Sequence, residues 1–241
     1  MNSIDLSDED FSLFKKMTYD LLGIHLNSTK KHLVLYRLSS RIRDLGLTSF
    51  HQYFQYLKSA ANSDLERRIF IEKIVTNETY FFRESEHFPL LLALVNRLFE
   101  TQNHVRIWSA PCSSGEEPYT ISMVMQDKFV GLKGKSFQIL GTDVSDKVLS
   151  VAIEGIYPKE AILEKTPKKY LRFFAPVSKT EWVVNDEIKS KVAFRNTNLI
   201  RDRYPLKSPV DIIFCRNLLI YFDEQTKKKL LTNFHAHLSK N

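Results

Sequence analysis

Over residues 7–75, apolar side chains recur at three- and four-residue spacing, and short polar or glycine interruptions divide them into four runs. Ser7 opens the first run, in which Phe11, Phe14, Leu21 and Leu22 share a face until Gly23 stops it. Asn27 or Ser28 opens a second, with Leu35, Leu38, Ile42 and Leu45 as its stripe before Gly46. Thr48 opens a third, and Asn62 or Ser63 a fourth carrying Leu65, Ile69 and Ile74. The pattern predicts a small helical domain over residues 1–75.

The period then changes. After an amphipathic helix at about residues 86–99, strand-like runs at 105–109, 137–141, 192–196 and 210–215 alternate with helical segments. Repeated βα units imply a mostly parallel sheet covered by helices, an α/β fold. Between residues 155 and 191 the rhythm breaks, with helical pieces near Ala161 and Tyr170 and a strand signal at 181–184, which predicts an inserted subdomain. The expected organisation is a helical domain (1–75), a linker and helix (76–100), and an α/β domain (101–241) with an insertion at about 156–191.

An apolar content of 43% with 12% aromatic residues in 241 excludes a disordered or fibrous class. No apolar run approaches the roughly 20 residues that span a bilayer. The N-terminus MNSIDLSDED is acidic where a leader is basic, so a cytoplasmic location is expected. Cys112 and Cys215 lack ligand spacing, and neither a disulfide framework nor a metal site is expected. A formal charge of +7 favours an acidic partner, whether nucleic acid, anionic membrane or protein.

In an open parallel sheet, ligands bind beyond the carboxyl ends of the strands. The strand VRIWS runs into APCSSGEEPYT, whose Ala110, Ser113, Ser114 and Gly115 let a ligand approach the backbone. Glu116 and Glu117 at the following helix would repel a pyrophosphate but suit an ammonium or sulfonium; they equally suit a helix dipole. The next strand ends in Asp143, placed where nucleoside-binding folds hold ribose hydroxyls, although the same residue could cap a helix. S-adenosylmethionine fits, with its ribose at Asp143 and its amino-acid end at Glu117. The last strand delivers Cys215, Arg216, Asn217 and then Tyr221, without the Pro-Pro that follows the acceptor Asn or Asp of many amine methyltransferases. A carboxylate acceptor is already ionised near neutral pH and needs mainly orientation, for which Arg83 is a candidate. Arg83 is also readable as a surface arginine paired with Glu84 or Glu86.

In series, NETYFFRE, WSAPCSSGEEPYT, ILGTDVSDKVL, NTNLI and DIIFCRNLLIYFD resemble the bacterial chemotaxis receptor glutamate methyltransferases, the CheR family. The resemblance implies an N-terminal helical domain and a Rossmann-like S-adenosylmethionine-dependent methyltransferase domain with a small inserted β-subdomain. It implies methyl transfer to glutamates on the cytoplasmic helices of chemoreceptors, for sensory adaptation, with S-adenosylhomocysteine as product. Asn77, Thr79 and Arg83 match the linker motif at cofactor and substrate, Glu117 and Asp143 the cofactor acids, and Asn198 and Leu199 the nucleoside-side pair. Arg216, Asn217 and Tyr221 match the final motif. Arg83 and Tyr221 are the expected catalytic residues, with Phe81 and Phe82 packing the linker over the site.

Residues 28–43 hold five Lys or Arg and no acid, and Lys30, Arg37 and Arg41 fall on one stripe. In the family such a basic helix meets the acidic receptor, so the stripe is the expected docking surface, and the protein is expected to reach the membrane through the receptor only. No nucleic-acid motif accompanies it, and nothing in the sequence sets the oligomeric state. The family normally continues with further strands where this chain stops at SKN, so C-terminal strands of the usual sheet are expected to be missing. The segment APVSKTEW lacks the glycines of relatives that grip a receptor tail, so no such tether is expected. The competing readings are a cofactor-binding regulatory module without transfer, and a methyltransferase for RNA or a small molecule.

Overall fold

The structure is a computed structural model that describes residues 4–59, 63–201, 204, 206 and 208–240. It forms two compact units, one comprising the residues up to Thr76 with Asn217–Leu231, the other Asn77–Arg216 with the segment from Thr232. The linker of residues 76–100 therefore belongs with the sheet from Asn77 onward. Residues 217–231, expected in the α/β domain, group by compactness with the N-terminal helices.

In the helical unit, Ser7 Oγ accepts the Asp10 amide at 3.0 Å to start α1 (Asp8–Leu22), whose first-turn acids complement the helix dipole. Gly23 ends it at φ 69°, a left-handed conformation that glycine adopts without strain. A 3₁₀ turn (Ser28–Lys30) leads into α2 (Lys31–Asp44), which buries Val34, Leu38 and Ile42. Leu35 and Leu45, expected on that stripe, are half-buried, so the helix is rotated toward Val34. Ser49, one residue after the expected Thr48, caps α3 (Phe50–Lys58), while the Thr48 amide and hydroxyl donate to the Gln52 side chain.

Helix α4 (Ser63–Ile74) departs furthest from its apolar pattern. Leu65 is 71% exposed and Ile69 half-buried, whereas Glu66, 3% exposed, faces inward with Phe70 and Ile74. An acid can occupy that core position because Arg41 binds it through two hydrogen bonds, at 3.0 and 2.6 Å, and the Tyr53 hydroxyl donates a third at 2.8 Å. The alternative cap Asn62 lies outside the described residues. Phe14 centres the core against Phe50, Tyr53, Phe54 and Phe70, at ring separations of 5.8–6.1 Å. Burying each such ring contributes about 1.5–3 kcal/mol.

In the second unit, α5 (His87–Thr101) precedes β1 (His104–Ser109), α6 (Glu116–Phe129), β2 (Ser136–Asp143) and α7 (Asp146–Glu154). The insertion follows as β3 (Ile156–Pro158), α8 (Lys159–Lys165), β4 (Phe174–Pro176), β5 (Glu181–Val184) and α9 (Asp186–Lys189). Then come β6 (Val192–Asn196) and β7 (Ile212–Phe214), and α10 (Glu224–His237), whose residues up to Leu231 group with the first unit, closes the order. The main sheet has the order β6-β2-β1-β7 with every pair parallel. Val192, Ile139, Ile107 and Ile212 form one row across it. β7 is shorter than the expected 210–215, because the Asp211 side chain accepts the Arg106 amide that a ladder residue would have taken. Val210 instead makes a parallel bridge with Leu238.

The insertion carries a three-stranded antiparallel sheet, β3-β5-β4. Its two outer strands have three residues each and end in Pro158 and Pro176, too short for an alternation to register. No helix among the described residues is long and apolar enough to cross a membrane.

Candidate active site

All four parallel strands point their carboxyl ends to one edge. The chain steps from β1 to β2 on one side, and β7 later returns to the other side of β1, so the crevice opens between the ends of β1 and β7. Glu117 lies in the first turn of α6 after β1, Asp143 ends β2, Asn198 and Leu199 follow β6, and Arg216 follows β7. Topology thus gathers five residues expected from sequence at this edge.

The loop after β1 is fastened from several directions. The Ala110 amide donates to the Phe214 carbonyl and the Cys112 amide to that of Thr142, each at 2.8 Å. Ser113, at φ 48°, donates its amide to Asp143 Oδ2 at 2.9 Å and its hydroxyl to the Asn77 carbonyl at 2.8 Å. Gly115 sits at φ 96°, and a Cβ there would come within 2.8 Å of Ala152 Cβ and 3.0 Å of the Tyr157 hydroxyl, so the turn into α6 requires glycine. Asp143 also accepts the Ser145 amide at 3.0 Å.

Two acids open α6. Glu116 accepts the Ser114 hydroxyl at 2.7 Å, and burial raises its pKa. Glu117 accepts the Ser109 hydroxyl at 2.8 Å and Arg216 Nη1 at 3.0 Å; burial raises its pKa, opposed by those same two partners. Cys215 beside them is no nucleophile, since burial and the Glu117 charge push its thiol up to about 12.

The stretch TNETYFFRES forms the linker and a turn. Phe81 packs edge-on against Tyr157 and Phe174 at 5.0 and 5.1 Å, and Phe82 lies 4.7 Å from Tyr170 and 6.0 Å from Phe88. The Phe82 amide donates to Thr120 Oγ1. These rings fasten the linker to the insertion and to α5, and Phe82 and Glu84 hold the turn at positive φ, 59° and 48°. Thr79 is half-buried. Arg83 folds back over its own segment, donating to the Glu78 carbonyl at 2.7 Å with its guanidinium 5.7 Å from the Tyr80 ring centre. Its Nε stands 3.9 Å from Glu84, whose carboxylate bonds Arg216 instead. Nothing in the sequence marked Glu84 as part of the site; an acid beside an arginine is unremarkable without knowledge of Arg216, 132 residues away.

The remaining candidates belong to the helical unit. Tyr221 ends a 3₁₀ turn (Leu219–Tyr221); its carbonyl accepts the His25 amide at 2.8 Å, and Phe222 bridges Ile24. Asn217 adopts the left-handed region at φ 58°. Of the docking stripe, Lys30 is exposed. Arg37 instead clamps the end of α4, donating to the carbonyls of Ile74 and Val75 and to Thr76 Oγ1 at 2.5, 3.1 and 2.9 Å. Arg41 is committed to Glu66.

Residues 77–241 match the family described as CheR methyltransferase, SAM binding domain, and residues 9–75 the CheR methyltransferase all-alpha domain. The chain is 38% identical to a chemotaxis protein methyltransferase of Borreliella burgdorferi, over 99% of its own length and 87% of the relative's. It is 39% identical to chemotaxis protein methyltransferase 2 of Pseudomonas aeruginosa, over 95% and 82%, and 38% identical to the Escherichia coli K12 chemotaxis protein methyltransferase, over 95% and 79%. With a helical unit ahead of a parallel sheet whose crevice holds acids suited to S-adenosylmethionine, the chain belongs to the CheR methyltransferase family.

Proposed function

We propose that this enzyme methylates glutamate side chains on the cytoplasmic helices of chemoreceptors, yielding methyl esters and S-adenosylhomocysteine. The observation that carries this reading is the pairing of half-buried Glu117 with Arg216 at the edge of the sheet where Asp143 ends β2. An acid, a guanidinium and a second acid match an ammonium, a carboxylate and a ribose diol, the donor set of an amino-acid nucleoside rather than a phosphate.

When bound, S-adenosylmethionine supplies a methyl group activated by its sulfonium. Glu117 holds the ammonium, Arg216 and Asn217 the carboxylate end, Asp143 the ribose, and Asn198 and Leu199 the base side, with Asn77, Thr79 and Arg83 closing the linker. Arg83 and Tyr221 orient the acceptor carboxylate, which is ionised near neutral pH and needs no general base. Lys30 is the docking cation of the stripe, since Arg37 and Arg41 are engaged inside the helical unit. The protein works in the cytoplasm, and the glycine-free hairpin of residues 175–182 does not grip a receptor tail.

Incubation with methyl-labelled cofactor and receptor-bearing membranes, followed by mild alkali, tests the reaction. Label released as methanol is expected. Alkali-stable label would point to an amine acceptor, and binding without label to a regulatory module. A second expectation concerns acid. Burial raises the Glu117 pKa above its ordinary 4.5, and protonation removes the charge that meets the ammonium. Affinity for S-adenosylhomocysteine is therefore full at higher pH and falls as pH drops through that raised pKa. Calorimetry from about pH 8 to about pH 5 checks it, and Glu117→Gln should bind weakly with little pH dependence.

A further inference from the structure

Arg216 is shared between two carboxylates. Its Nη1 donates to Glu117 Oε2 at 3.0 Å, while Nη2 and Nε reach Glu84 Oε2 at 3.1 and 3.4 Å, and Nη2 also donates to the Arg83 carbonyl. The Arg216 side chain is 10% exposed, and its guanidinium lies 5.9 Å from the Phe88 ring centre. Its freedom to reorient is therefore small while Glu84 holds one edge.

Glu84 reaches this place through a backbone at φ 48°, an uncommon conformation for a glutamate and one that persists only where surrounding contacts enforce it. The enforcement comes from Phe81 and Phe82, buried in the core just before Glu84 against Tyr157, Phe174, Tyr170 and Phe88. A guanidinium facing a single carboxylate prefers a two-pronged fork that engages both oxygens. Here Glu84 takes the Nε and Nη2 edge, so Glu117 receives one N–H and its other oxygen accepts only the weaker, neutral Ser109 hydroxyl among these bonds.

We propose that Glu84 is a positioning residue for the cofactor: it keeps Arg216 from closing on Glu117 as a fork, so that the amino-acid end of S-adenosylmethionine meets an accessible acid and an accessible guanidinium. This rests on the reading of Glu117 as the ammonium partner. Without Glu84, Arg216 turns onto Glu117, the two charges quench each other, and the zwitterionic end of the ligand loses both contacts. The adenosine end is held by other residues and is indifferent to the change.

The test compares two ligands on the full chain by calorimetry: S-adenosylhomocysteine, which carries the amino-acid end, and 5′-methylthioadenosine, which lacks it. In Glu84→Gln the first is expected to bind about tenfold more weakly and the second within about twofold of the parent. Equal losses for both ligands would mean general damage to the linker and overturn the proposal, as would an unchanged affinity for S-adenosylhomocysteine. Glu117→Gln separates the two layers. If Glu117→Gln discriminates between the ligands and Glu84→Gln does not, the role of Glu84 alone falls; if neither does, the ammonium reading falls and takes this inference with it.

Discussion

Arg83→Ala is expected to lower methyl transfer about a thousandfold while changing affinity for S-adenosylhomocysteine by less than about threefold. The guanidinium is held by the Glu78 carbonyl on one nitrogen and stands over Tyr80, so its charge is fixed in place but not consumed by a close ion pair. Its nearest acid, Glu84, is 3.9 Å away, beyond hydrogen-bond length, and is drawn toward Arg216. On the proposed assignment, a carboxylate arriving from another protein would meet a permanently charged, preorganised fork. Loss of that fork removes orientation of the acceptor rather than contact with the cofactor. Single-turnover transfer measured beside ligand calorimetry decides the point; affinity falling in step with rate would move Arg83 to the cofactor side and end its role at the acceptor.

Arg41→Ala is expected to destabilise the helical unit by about 3–5 kcal/mol, a large part of the roughly 5–15 kcal/mol that holds a domain together. The reason is Glu66, which would stay buried with only the Tyr53 hydroxyl to meet it. Urea unfolding of the variant reads the loss. Replacing the whole cluster, Arg41→Met with Tyr53→Phe and Glu66→Leu, should recover most of it, because apolar side chains of similar volume carry no desolvation penalty. A variant Arg41→Ala of unchanged stability that methylated receptors poorly would instead restore Arg41 to the docking surface.

Legibility varied with how local each determinant is. Capping by Ser7 and termination at Gly23 are decided within one helical turn and could be read from spacing. The parallel sheet was equally readable, and once strands are parallel, Glu117, Asp143, Asn198, Leu199 and Arg216 must fall at one edge whatever the details of packing. Glu66 was illegible because its burial depends on Arg41, 25 residues earlier, and on Tyr53. Periodicity favoured Leu65 for the same face, since an acid ranks below a leucine for any core until its partners are known. The engagement of two arginines of the expected docking stripe was illegible for a related reason. Helical spacing places Arg37 and Arg41 correctly beside the apolar face, but long side chains can turn inward from there to satisfy carbonyls or an acid. Glu84 needed both a left-handed backbone and a distant arginine, neither of which leaves a pattern.

The aromatic packing of the linker divides the insertion into a base and a head. Tyr157, Tyr170, Phe173 and Phe174 form the base, buried together with Phe81 and Phe82 in the core that also orients the turn bearing Arg83. Residues 175–181, at the head of the hairpin, are exposed throughout. Loops of other lengths and chemistries could be grafted onto residues 177–180 with the turn bearing Arg83 left undisturbed, whereas any exchange that reached Phe174 would be felt at Phe81 and so along that linker.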